Sequence, residues 1–157
     1  ENGAGADNSS FARLNAGFRL SEFVENYKFE EGETLNIIAH SHGGNVVKDF
    51  TQLYQGDKKI DNVIFLGTPV IKDYEIDYSK LGDNAVIRNV YDTSDIVQRA
   101  GGSDFQFNFG VNVDKIGIAD RIMTNGKVKN IEVESGNHPV NSHSDLDDKK
   151  VWEQFND

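Results

Sequence analysis

The sequence predicts an α/β fold with a central, mainly parallel sheet flanked by helices. Three observations predict it. Short apolar runs of strand length, Leu35 to Ala39, Asp61 to Leu66 and Ala85 to Tyr91, alternate with segments whose apolar residues recur every three or four positions. The runs are nearly continuous, as expected of strands covered on both faces, and strand alternating with crossover implies parallel neighbours. The chain has 157 residues, a length that one hydrophobic core can serve.

Taken in order, Glu1 to Ser9 is polar and rich in Gly and Asn, which suits a loop, with Ser9 or Ser10 available to cap the first helix. Phe11, Leu14, Phe18, Phe23, Val24 and Tyr27 then mark that helix, with one buried stripe, weakened slightly by Gly17. Glu30 to Glu33 is a polar turn, and Leu35 to Ala39 reads as a central strand. Val46, Val47, Phe50 and Tyr54 give a helix over Asn45 to Tyr54. The strand Asp61 to Leu66 is stopped by Gly67-Thr68-Pro69, and Ala85 to Tyr91 gives a third. Between Gly101 and Asp120, Phe105, Phe107 and Phe109 alternate with polar residues; they suit a lid or acyl pocket, or equally a small hydrophobic cluster under a loop. Lys129 to Val133 is a last strand and Asp147 to Phe155 a closing helix.

Composition narrows the function classes. Lys and Arg number 16 against 26 Asp and Glu, a formal charge of −10, so counterion release cannot drive binding to nucleic acid or an anionic membrane. An uncharged substrate is not repelled, and a cationic partner is attracted. With no cysteine, thiolate catalysis, thiolate metal sites and disulfides are all excluded, and the redox compartment stays open. No run approaches the roughly 20 apolar residues that span a bilayer, so no transmembrane segment is expected.

The most informative stretch is Leu35-Asn-Ile-Ile-Ala-His-Ser-His-Gly-Gly-Asn-Val-Val47, which sets Ser41 at the bend between a buried strand and an amphipathic helix. A serine raised on such an elbow stands clear of the sheet, with backbone N–H groups beside it, and small residues let the chains approach. Ala39 and Gly43 occupy those small-residue positions. As a bare pattern small-x-Ser-x-Gly is weak; the strand before it and the helix after it make it specific. Gly43-Gly44 is not followed by Gly-Lys-Ser/Thr, which sets nucleotide binding aside.

IIAHSHGGNVV resembles the elbow of bacterial lipases and related α/β-hydrolases, including hydrolase-like domains at the C-termini of some polymorphic toxins. Val63 to Pro69, ending Leu-Gly-Thr-Pro, resembles the strand after that elbow; Val90 to Val97 resembles the acid-bearing strand and loop; Asn141 to Leu146 resembles the histidine loop. The resemblance implies a serine esterase or lipase with Ser41 as nucleophile, Asp95 as acid and His143 as base, in the chain order of that fold. It implies one oxyanion donor from the backbone N–H of His42, and it calls for no metal or cofactor. Asp92 competes with Asp95, though Asp followed by Ile-Val is the pattern of the acid loop. His138 competes with His143, whose place before a terminal helix fits better. The side chains of His40 and His42 read as packing and local hydrogen bonding. Asp145, Asp147 and Asp148 beside His143 read as a solvated helix start rather than a metal cluster.

The resemblance covers Ser9 to the C-terminus, but only the second half of a usual α/β-hydrolase. Residues 1–157 are therefore expected to form a single α/β-hydrolase-like domain from which the family's N-terminal strands, and the loop carrying the second oxyanion donor, are missing. The expected substrate is a small-molecule or lipid ester. An upstream polypeptide segment is one expected partner; a secreted or delivered effector would also imply a neutralising protein. The rival expectation is a non-catalytic interaction domain on the same scaffold.

Overall fold

The computed structural model describes residues 10–71, 75–101, 119–135 and 141–155. The expectations for the Gly- and Asn-rich start, for Phe105, Phe107 and Phe109, and for His138 lie outside the described residues. The order is α1 (Ser10–Asn26), β1 (Leu35–His40), α2 (Gly43–Leu53), β2 (Ile60–Leu66), a 3-10 turn (Tyr78–Lys80), β3 (Leu81–Tyr91), α3 (Ile96–Ala100), β4 (Val128–Glu132), α4 (Asn141–Ser144), a second 3-10 turn (Asp145–Asp147) and α5 (Lys149–Trp152). The chain is thus of the α/β class: among the described residues four strands form one sheet in the order β1-β2-β3-β4, and each of its pairings is parallel.

Period-2 alternation divides the strands between two cores. Val63 and Phe65 of β2, with Ile87 of β3 and Ala39 of β1, face Val24 of α1, Val47 and Phe50 of α2, and Tyr54. Leu66 and Val90 face the other way, onto Leu146, Val151 and Phe155 of the C-terminal segment. Helices therefore cover both faces at β2, which explains the continuous apolar run of that strand.

Three sequence expectations are corrected. First, β1 is an edge strand among the described residues, with β2 as its only neighbour, and its Ile38 is 59% exposed. An apolar run marks a strand but carries no information about its rank in the sheet. Second, the buried face of α1 is Arg13, Gly17, Ser21 and Val24, while Phe11, Leu14, Phe18, Phe23 and Tyr27 are exposed. At about 100° per residue the first three and the last two of those aromatic and aliphatic residues fall on opposite flanks of the buried stripe. Close approach of α1 to α2 selects small residues there: a Cβ on Gly17 would lie 2.9 Å from the backbone nitrogen of Phe50. Third, the closing helix is broken into a 3-10 turn and one short helix, because Asp148 is extended between them (φ −66°, ψ 146°). No described helix is long and apolar enough to cross a membrane.

Candidate active site

Parallel strands bring their carboxyl ends to one edge, and the loops leaving β1, β2 and β3 meet there. At the end of β1 the backbone bends at Ser41, which has φ +55° and is the only non-glycine residue with positive φ among the described residues. That conformation is disfavoured for an L-residue and survives only when its surroundings over-determine it. Here the Ser41 N–H donates to the Leu66 carbonyl (2.8 Å) and its carbonyl accepts from the Gly44 N–H (3.1 Å), tying the bend to β2 on one side and to the 11-residue helix α2 on the other. The small residue that the elbow demands most is Gly44 rather than Gly43. A Cβ on Gly44 would sit 2.2 Å from Thr68 Oγ1, whereas one on Gly43 would make ordinary contact with Ala39 Cβ at 3.8 Å.

The three residues expected from sequence meet at this edge. Ser41 Oγ lies 2.8 Å from His143 Nε2, and His143 Nδ1 lies 2.6 Å from Asp95 Oδ2. An ionised carboxylate accepts only, so the Nδ1 proton faces Asp95, and the Nε2 lone pair is left to accept from the Ser41 hydroxyl. His143 is buried and Asp95 has no solvent exposure. Asp95 is also the N-cap of α3: its Oδ1 accepts from the Gln98 N–H (2.8 Å), and its carbonyl accepts from Arg121 Nη2 (2.5 Å). Its two carboxylate oxygens thus have separate duties, one orienting the helix and one facing the imidazole.

Asp92, the rival acid, is turned elsewhere. Oδ1 accepts from the N–H and hydroxyl of Ser94 (both 2.7 Å), and Oδ2 from the N–H (2.8 Å) and hydroxyl (2.6 Å) of Ser135. Burial pushes the Asp92 carboxyl up, but hydrogen bonds from Ser135 and then Ser94 outweigh it and hold the group below its ordinary value.

Several contributors were not legible in sequence. His40, expected to bond locally, instead reaches across to the histidine segment: its Nε2 lies 2.8 Å from the His143 carbonyl, which only accepts, so that nitrogen carries a proton. The two imidazoles lie 4.8 Å apart between centroids. Gly67 has φ +58°, and a Cβ there would come within 2.6 Å of Leu146, 3.2 Å of His143 Nδ1 and 3.4 Å of Asp95 Oδ2. The signal for it was present in Leu-Gly-Thr-Pro; its reason was not. Ser135 and Arg121 had no signal at all, since nothing local distinguishes them from other loop residues. His42 occupies the N-cap position of α2 without a side-chain capping bond, and its Nδ1 lies 3.3 Å from Asn45 Nδ2. No group of three or more His, Asp or Glu that could hold a metal ion is present among the described residues. A cleft of about 450 Å³ lined by Val70, Ile76, Tyr78, Ile122 and Met123 lies beside the Val70–Asp120 bridge and includes none of the three residues above.

Chemically, a serine hydroxyl hydrogen-bonded to an imidazole, itself hydrogen-bonded to a buried carboxylate, is the arrangement that activates an oxygen nucleophile near neutral pH. Comparison with protein-family models, with curated proteins and with solved structures found no match to this chain.

Proposed function

We propose that the chain is a carboxyl-ester hydrolase of the α/β-hydrolase type, lipase- or phospholipase-like, working through an acyl-enzyme on Ser41. The observation that carries this reading is the continuous relay Ser41 Oγ, His143 Nε2, His143 Nδ1, Asp95 Oδ2, with both links at hydrogen-bond length. In the first step Ser41 Oγ attacks the ester carbonyl carbon while His143 Nε2 takes its proton, and Asp95 stabilises the resulting imidazolium. The oxyanion forms beside the N-terminus of α2, where the His42 backbone N–H is the donor assigned to it. His143 then gives the proton to the leaving alcohol; water, deprotonated by the same imidazole, attacks the acyl carbon, and the imidazolium protonates Ser41 Oγ as the acyl–oxygen bond breaks and the acid leaves. No metal ion enters these steps.

The test is labelling of the purified chain with a fluorophosphonate, read by mass spectrometry against Ser41→Ala, which detects an activated serine without the true substrate. Labelling confined to Ser41 supports the hydrolase; a folded chain left unlabelled argues against it.

A second reading is favoured by one specific feature, the outer edge of β1, unpaired among the described residues, with exposed Ile38 on one sheet face and exposed Phe23 and Tyr27 beside it on the other. An open edge flanked by apolar side chains suits the addition of a strand. On this reading a separate polypeptide segment completes the sheet and supplies the second oxyanion donor. The same labelling experiment then gives a slow reaction that accelerates when the segment is present on the same chain or added to it.

A further inference from the structure

The hydrogen bonds in the loop cluster behind His143 converge on one carboxylate or run through one hydroxyl, and the relay Ser41, His143, Asp95 leaves them without a function. Asp92 follows the last residue of β3 and is 5% exposed; Ser135 and Ser142 are fully buried. The Ser135 hydroxyl lies 2.6 Å from Asp92 Oδ2 and 2.8 Å from the Ser142 carbonyl. Both are acceptors and the hydroxyl has a single proton, so that proton is shared in a three-centre bond. The Ser135 N–H adds a second bond to Oδ2, and the Ser94 N–H and hydroxyl hold Oδ1.

These bonds join three segments that are far apart in sequence. The Asp95 N–H donates to the Asp92 carbonyl (3.1 Å), so Asp92 and Asp95 belong to one turn. Val133 N–H donates to the Tyr91 carbonyl (2.9 Å), which fixes the loop carrying Ser135 to the end of β3. Ser142 immediately precedes His143. The bridge Asp92, Ser135, Ser142 therefore runs beside the pair Asp95, His143 and ties the backbone of each member of that pair to the same point.

We propose that Asp92 and Ser135 are positioning residues that set the approach of His143 to Asp95. They touch neither substrate nor the reacting atoms; they act through the backbone at Ser142 and the turn at Asp95. The inference rests on the hydrolase reading for its catalytic consequence, but its geometric content does not.

The experiment uses Ser135→Ala, which removes the shared proton while leaving the Ser135 N–H bond to Asp92, and Asp92→Asn as a second variant. The first readout is the far-downfield proton resonance of the His143 Nδ1–H facing Asp95, which needs no turnover. In wild type it is expected to be resolved; in Ser135→Ala it moves upfield or exchanges away while the circular dichroism stays native. The second readout is fluorophosphonate labelling of Ser41, expected to slow by about 10²-fold, the cost of a misplacement near 1 Å, at unchanged half-saturating probe concentration. In an Asp95→Asn background Ser135→Ala should add little, because the pair it aligns is gone. A resonance unchanged in Ser135→Ala, or absent from the wild type, overturns the proposal. Wild type unlabelled with a resonance that Ser135→Ala abolishes sinks the hydrolase reading and keeps the positioning role; fast labelling in both with an unmoved resonance does the reverse.

Discussion

Replacing Gly67 with Ala should damage stability and the Ser41 relay together, because one methyl group meets both. Gly67 sits at φ +58°, where an alanine costs about 1–2 kcal/mol from its own backbone. Its Cβ would lie 2.6 Å from a Leu146 methyl, against an ordinary carbon contact of about 3.5–4 Å, so that side chain must retreat by roughly 1 Å. Leu146 is fully buried between Leu66, Val90 and Val151, where overpacking costs about 1–3 kcal/mol. The total is about 2–5 kcal/mol out of a stability of roughly 5–15, and at this chain length it lowers the melting temperature by roughly 4–20 °C. The same Cβ lies at 3.2 Å from His143 Nδ1 and 3.4 Å from Asp95 Oδ2, so any relief by shifting the imidazole lengthens the 2.6 Å link. Urea unfolding measures the first effect; the rate of Ser41 labelling, taken well below the melting temperature, measures the second and should fall about 10²-fold. A Gly67→Ala chain with the wild-type urea midpoint and a labelling rate within about twofold of wild type would refute both the strain and the contact argument.

Ser41→Ala and His143→Ala should each abolish nearly all hydrolysis of an activated ester, and the double variant should be little worse than either, because the residues act as one unit. Asp95→Asn should cost about 10⁴-fold in kcat, through loss of the imidazole tautomer. The depressed carboxyl of Asp92 makes stability pH-dependent in one direction: its hydrogen bonds contribute in full above the unfolded-state value of 3.8 and are lost as pH falls through the lower folded value. Urea midpoints measured from about pH 5 down to pH 2 should therefore fall less steeply in Asp92→Asn than in wild type; parallel curves would show that Asp92 is not the group responsible. On α1, Phe18→Ser should change stability by less than about 0.5 kcal/mol, since Phe18 is exposed, whereas Phe50→Ala on α2 should cost about 3–5 kcal/mol, as read from thermal unfolding.

The positioning network changes how a substitution at Asp92 is to be interpreted. Damage from Asp92→Asn would ordinarily point to Asp92 as the acid in place of Asp95. Here both substitutions are expected to harm the relay, one by removing the imidazole's partner and one by loosening the segments that hold it. The two losses of rate differ only in size, whereas the downfield resonance reports directly whether His143 Nδ1–H still faces a carboxylate.

Much of the architecture could be read from local pattern. The four strands, α1 and α2 lie within a few residues of their expected bounds: β2 is buried on both faces and carries a continuous apolar run, and α2 is buried on one side and carries a three- and four-residue recurrence, whereas α1 carries a recurrence of side chains that, Val24 apart, are themselves exposed. The pattern failed where geometry is relative. Phe11, Leu14 and Phe18 share helical spacing with the true interior of α1, but the interior is chosen by how closely α2 approaches, and Gly17 and Ser21 permit what a phenylalanine forbids. The edge position of β1 depends on the order of strands in the sheet, which its own residues do not encode.

The site divides in the same way. Sequence alone determined the elbow at Ser41 and nominated Asp95 and His143 over Asp92 and His138, because a nucleophile on a strand-to-helix bend needs small neighbours and because resemblance supplied the order of the other two. Only the tertiary structure decided that Asp95 rather than Asp92 faces the imidazole, that Gly44 and Gly67 sit too close to Thr68 and to Leu146 to carry a side chain, and that Ser135 and His40 hold the histidine segment. The physical reason is range: backbone conformation and burial periodicity are set within a few residues, whereas a hydrogen bond between residues 48 or 102 positions apart depends on where whole strands and loops end in space.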